Sequence, residues 1–125
     1  MKVTVPISLG ELYDKISILE IKLSHMATPE KIANVANEYK ELRSVADEYP
    51  IDKDLYKQLR NINQSIWDIE DKIRDCEREK IYDTTFVEIA RSVYISNDKR
   101  SDIKKEINLK YGSVIIEEKS YAKYN

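Results

Sequence analysis

This chain has few of the residues that make turns, disulfides or metal sites. Two glycines and three prolines among 125 residues are too few for the tight turns of a sheet-rich fold. Helix is therefore favoured before any pattern is read. The one cysteine, Cys76, has no second thiol to pair with, which fits a reducing, cytoplasmic setting. The one histidine, His25, leaves no zinc spacing and no Glu-x-x-His pair of the kind a di-iron bundle needs. A Gly-rich phosphate loop is also missing, so no motif announces a metal or a cofactor. No apolar run approaches a membrane span, and the start, MKVTVPISLGE, lacks the apolar stretch of a signal peptide. An excess of one charge sign is missing too. Lys and Arg number 21 against 23 Asp and Glu, for a net charge of −2. That balance argues against a general nucleic-acid binder, although a local basic patch is compatible with it.

What the chain does have is apolar periodicity. It is 42% hydrophobic and 35% charged, and its pattern predicts one soluble all-α domain over residues 1–125, a bundle of four or five helices. Ser8-Leu9-Gly10-Glu11 reads as a capping box that opens helix 1, from about Leu9 to Met26. Leu9, Leu12, Ile16, Leu19, Leu23 and Met26 alternate spacings of three and four, as in a coiled-coil seam. Ile18 and Ile21 lie off that seam, so this helix should touch two neighbours. Thr28-Pro29 restarts the chain, and helix 2 should run to about Tyr49 on Ile32, Val35, Tyr39, Leu42 and Ala46. Pro50 stops it. The short link predicts an antiparallel hairpin with helix 1.

Asp52 caps helix 3, expected from about Lys53 to Ile81 along Leu55, Leu59, Ile62, Ile66, Ile69, Ile73 and Cys76. At ~1.5 Å per residue it spans roughly 44 Å, against nearer 30 Å for helices 1 and 2. This one long central helix needs helix 4, a second subunit or a bend to cover it. Asp83-Thr84-Thr85 opens helix 4, which either breaks at Asn97-Asp98 or continues to Tyr111-Gly112. Val3-Thr4-Val5 and Val114-Ile115-Ile116 are β-like and could pair.

The seam turns polar in helix 4. Asn97 and Arg100 occupy phases where apolar residues belong, and a buried arginine needs a carboxylate or an anionic ligand. Arg91, Tyr94, Asn97, Asp98, Arg100 and Lys104, with the tail from Glu117 to Tyr121, form the candidate anion site. A structural ion-pair network would account for the same residues. On helix 3 a second row, Tyr56, Arg60, Asn63, Trp67, Glu70, Arg74 and Glu77, runs beside the seam. Trp67, the only tryptophan, reads as a core or interface anchor, with a stacking platform as the alternative. Glu38-x-x-Glu41 and Asp68-x-x-Asp71 loosely resemble the paired acidic motifs of helical Mg²⁺-dependent nucleotide pyrophosphatases, a spacing that 23 acids also produce by chance.

The segments Ser8–Ile16, Ile18–Lys22, Asn34-Val35, Ile66–Arg74, Ala90-Arg91, Asn97–Arg100, Lys104, Ile107-Asn108, Gly112-Ser113 and Glu117–Tyr121 carry a resemblance over nearly the whole chain. It resembles an uncharacterised family of short helical proteins from marine bacteria, cyanobacteria and phages, sometimes found in glycosyltransferase contexts. The resemblance implies no activity. The leading expectation is therefore a helical interaction protein, a homodimer whose partner completes helix 3. The alternative is an enzyme or sensor for a small anionic ligand, such as a sugar phosphate or nucleotide. A weaker reading is Mg²⁺-dependent nucleotide hydrolysis on Glu38, Glu41, Asp68 and Asp71.

Overall fold

A computed structural model describes residues 1–124 and contains four helices: α1 (Leu9–His25), α2 (Pro29–Ala46), α3 (Lys53–Glu79) and α4 (Thr84–Lys110). No strand forms among the described residues, so the expected pairing of Val3–Val5 with Val114–Ile116 is not made. Both segments are irregular and mostly exposed, and the chain ends meet through side chains instead. Ser113 Oγ accepts from the Leu9 N–H at 3.2 Å.

Capping explains most boundaries. Asp52 accepts from the Asp54 and Leu55 amides at the start of α3, and Asp83 from the Phe86 amide at the start of α4. Thr28 makes no side-chain cap, and Pro29 carries that start. Only half of the expected capping box forms at α1. Ser8 accepts from the Glu11 amide, but the Glu11 carboxylate turns to Lys104. The other N-terminal amides of α1 are satisfied by Asn108, Ser113 and the Ser8 carbonyl, which leaves no orphan donor in the first turn. Helix α3 stops two residues before the expected Ile81, because Lys80 adopts a left-handed conformation (φ 56°). Its amide and that of Ile81 return to Glu77 and Cys76, closing the helix as a glycine usually does.

Helix α1 is the hub. It packs on α2, α3 and α4, whereas α2 packs on α1 alone. The core is Leu12, Tyr13, Ile16, Ala46, Leu55, Leu59 and Ile107, flanked by Tyr39, Leu42, Ile62 and Ile103. The second apolar face of α1 is also used, since Ile21 is buried. The molecule has two long helices rather than one. Helices α3 and α4 each hold 27 residues, about 40 Å at the standard rise. They lie against each other, so α4 supplies the cover that the length of α3 demanded. Helix α4 runs unbroken through Asn97-Asp98. At one end Tyr111 and Lys110 reach Asp52; at the other Tyr82 stacks edge-on against Phe86 at 5.5 Å.

A buried polar network and the cleft beside it

The polar interruption in α4 faces α1, and α1 answers it with acids. Lys104 Nζ lies 2.6 Å from Glu11 Oε2, 3.7 Å from Asp14 Oδ2 and 3.4 Å from Glu117 Oε2. Its side chain is only 12% exposed. Burial alone pulls its pKa down, but the hydrogen bond to Glu11 and the charges of Asp14, Glu11 and Glu117 outweigh it and hold the ammonium above its ordinary value. Lys104 is thus fully partnered.

Asp14 passes the network to α3. Asn63 Nδ2 donates to Asp14 Oδ1 and to Ser17 Oγ, each at 2.7 Å. Ser17 can accept because its own hydroxyl donates to the Asp14 carbonyl at 2.8 Å. The Asn63 carbonyl oxygen accepts from Arg100 Nη1 at 3.2 Å. Asp14, Ser17 and Asn63 are all buried, so one amide joins three helices with every side-chain polar atom used.

Arg100 differs from Lys104. Its Nη2 donates to Asn97 Oδ1 at 2.8 Å and its Nη1 to Asn63. Both acceptors are neutral. No carboxylate lies within ion-pair distance of the half-buried guanidinium among the described residues. A cleft of about 460 Å³ opens beside it, lined by Tyr94, Asn97, Asp98, Arg100 and Lys104 of α4 with Glu117, Lys119, Tyr121 and Tyr124 of the tail. The tail is tied across this cleft. Tyr121 donates to Asp98, Tyr124 meets Tyr94 edge-on at 5.1 Å, and Glu117 bonds Lys119 and Lys104. Hydrogen bonds from Tyr121 and Tyr124 hold the Asp98 carboxyl below its ordinary range. In return the Tyr121 phenol is raised, and that of Tyr124 is pushed up to about 12. These phenols stay protonated near neutrality and act as donors rather than bases.

Of the residues singled out in the sequence, Tyr94, Asn97, Asp98, Arg100 and Lys104 line one cleft. Arg91 is exposed and is not part of its wall. Trp67 stands apart from that cleft, stacked on His25 at 5.0 Å with 19° between the rings. The acids Glu38 and Glu41 are not brought to Asp68 and Asp71, because α2 does not pack on α3. No group of three or more acid, histidine or cysteine ligands forms among the described residues, and nucleotide hydrolysis on those four loses its geometric basis. Cys76, near the end of α3, is buried and unpaired.

Composition and periodicity missed Asp14, Ser17 and the role of Asn63. They also missed a second junction at Glu20, which accepts from Tyr39 at 3.3 Å and from Tyr56. Arg60 lies 3.8 Å away. Asp14 and Ser17 fall between the seam residues Leu12, Ile16 and Leu19. That position was the available signal, since a residue next to a seam is buried once a helix has neighbours on several sides.

No helix of the described residues is long and apolar enough to cross a membrane. No curated protein and no solved structure matches the chain. Residues 1–124 match the family of unknown function DUF6165, and the chain belongs to that family.

Proposed function

We propose that the cleft between α4 and the C-terminal tail binds a small anion, and that the protein is a binding module for a phosphorylated or carboxylated metabolite. The observation that carries this reading is the Arg100 guanidinium, half-buried and, among the described residues, hydrogen-bonded only to the neutral oxygens of Asn63 and Asn97. A shielded cation without a counter-charge is costly, and a planar fork with spare donors suits a phosphate or carboxylate. Tyr94 and Asn97 supply further donors on the α4 wall, and Lys119, paired with Glu117, lines the cleft from the tail. The test is a thermal-shift panel of inorganic phosphate, pyrophosphate, glucose 1-phosphate and AMP, with and without Mg²⁺. At least one should raise the midpoint for the wild type and for Arg100→Lys more than for Arg100→Ala. No shift with any of them, or equal shifts in Arg100→Ala, removes the site.

A second reading is self-association as a coiled-coil homodimer in the cytoplasm. It is favoured by the far half of the α3–α4 hairpin, which extends beyond α1. There Ile69, Ile73, Phe86 and Ile89 are only half-buried, and Ile81, Tyr82 and Val87 are exposed. Sedimentation at micromolar concentration decides it; a monomer there counts against the dimer and leaves the anion site untouched.

A further inference from the structure

Arg100 also lines a second cleft of a different character. This one holds about 220 Å³ and is walled by Ile18 and Ile21 of α1 and by Ile66 and Trp67 of α3, with Asn63 and Arg100 at its polar end. The Asn63 amide is already saturated by Asp14, Ser17 and Arg100. Glu70 and Arg74, on the rim, neutralise each other at 3.7 Å, and the exposed carboxylate of Asp71 stands beside them. The guanidinium is therefore the group at that polar end with donors to spare. Trp67 is held in place by the His25 ring, and its indole Nε1 is buried with no hydrogen-bond partner among the described residues. The tryptophan gives up a hydrogen bond and offers aromatic surface to the cleft.

An apolar cavity of about 150 Å³ is enough for one benzene ring, whereas whole drug-sized ligands need about 300 Å³ or more. The apolar cleft therefore takes one ring or a short branched chain. Resting on the anion site proposed above, we infer that the ligand is an amphipathic anion. Its phosphate or carboxylate engages Arg100, and its flat or branched apolar body lies against Trp67, Ile18 and Ile21. The guanidinium, shared by both clefts, sets the distance between the two ends of the ligand.

The only tryptophan of the chain is a wall of this cleft, so its fluorescence is a direct reporter. Inorganic phosphate, phenyl phosphate and benzyl alcohol are titrated separately into the full chain, with calorimetry in parallel. Phenyl phosphate is expected to bind at least tenfold more tightly than inorganic phosphate and to change Trp67 emission, while benzyl alcohol alone binds far more weakly. Trp67→Leu should bring phenyl phosphate down to the affinity of inorganic phosphate, and the milder Ile18→Ala should move it the same way if the first variant fails to fold. Equal binding of the two phosphates overturns the amphipathic ligand and leaves the Arg100 site standing. Binding of neither overturns both. Benzyl alcohol binding as well as phenyl phosphate overturns the link between the two clefts.

Discussion

The backbone of Gly10 lies directly against that of Lys104: a Cβ at residue 10 would stand 2.5 Å from the Lys104 carbonyl oxygen. The approach lets Asn108 Oδ1 accept the Gly10 N–H at 2.7 Å, and it carries Lys104 into reach of Glu11 and Asp14. The only way to relieve a clash with a carbonyl is to part the helices. Gly10→Ala should therefore destabilise the fold by about 2 kcal/mol, the usual cost of forcing atoms into a packed contact, despite the better helix propensity of alanine. Urea unfolding followed by circular dichroism measures this. An unchanged midpoint would mean that α1 and α4 are not in close contact.

Alkaline pH should unfold the protein earlier than its composition suggests. The Lys104 ammonium is held above its ordinary 10.5, burial notwithstanding, by its bond to Glu11 and by the charges of Asp14, Glu11 and Glu117. Burial, reinforced by Glu20, raises the Tyr56 and Tyr39 phenols above 10.0. Each group holds its proton more tightly folded than unfolded. Their stabilisation is complete below pH 10 and is lost as the pH rises from the unfolded values through the higher folded ones. Tyr56→Phe and Lys104→Met should each lower stability at pH 7 and flatten the decline between pH 10 and 11.5, read as urea midpoints across that range. A parallel decline in both variants would contradict the assignment.

The helices and their phase were legible because burial in this fold follows spacing. Leu12, Ile16, Leu19, Leu55 and Leu59, all seam residues, are buried. So was the polar interruption of α4, since Asn97 and Arg100 break its apolar phase. What the sequence did not reveal is which acids answer Lys104. Glu11 reads as a capping residue and spacing alone says nothing of Asp14, because the surroundings of both depend on α4 crossing α1 at Gly10, a contact between residues 94 positions apart. The β-like Val3–Val5 and Val114–Ile116 misled for a related reason. Local propensity favoured strands, but Ser113 accepting from Leu9 and the Ser113 amide donating to Asn108 fix the tail beside α1 without one.

The tail should be held by Asp98. Its carboxylate takes the Tyr121 hydroxyl, and the hydrogen bond to Asp98, ahead of burial, pushes the Tyr124 phenol up to about 12. In Asp98→Ala that phenol should return toward its ordinary 10.0, seen in the ring-carbon shift of labelled tyrosine during an NMR titration. Protease cleavage after residue 113 should accelerate in the same variant, more so in high salt, which screens the exposed Lys105–Glu118 pair. A Tyr124 titration that ignores Asp98→Ala would place the tail elsewhere.

Asn63 separates a structural network from a ligand site, because one atom changes both. Replacing its amide by a carboxylate in Asn63→Asp removes the two N–H donors that serve Asp14 and Ser17 and sets a second acid beside a buried one. The same change gives Arg100 the counter-charge it lacks. Breaking such a buried arrangement costs about 3 kcal/mol. The introduced carboxylate, set beside a buried acid, would bind its proton more tightly folded than unfolded. The loss should therefore be small near pH 4 and grow as the pH rises toward 7. Anion binding at Arg100 should weaken at pH 7, measured by calorimetry with pyrophosphate at a temperature where the variant is folded. Asn63→Leu removes the same hydrogen bonds and adds no charge, so it should destabilise with a shallower pH dependence. If both variants bind pyrophosphate as the wild type does, the guanidinium of Arg100 is a strut in the bundle and the anion sits on other residues.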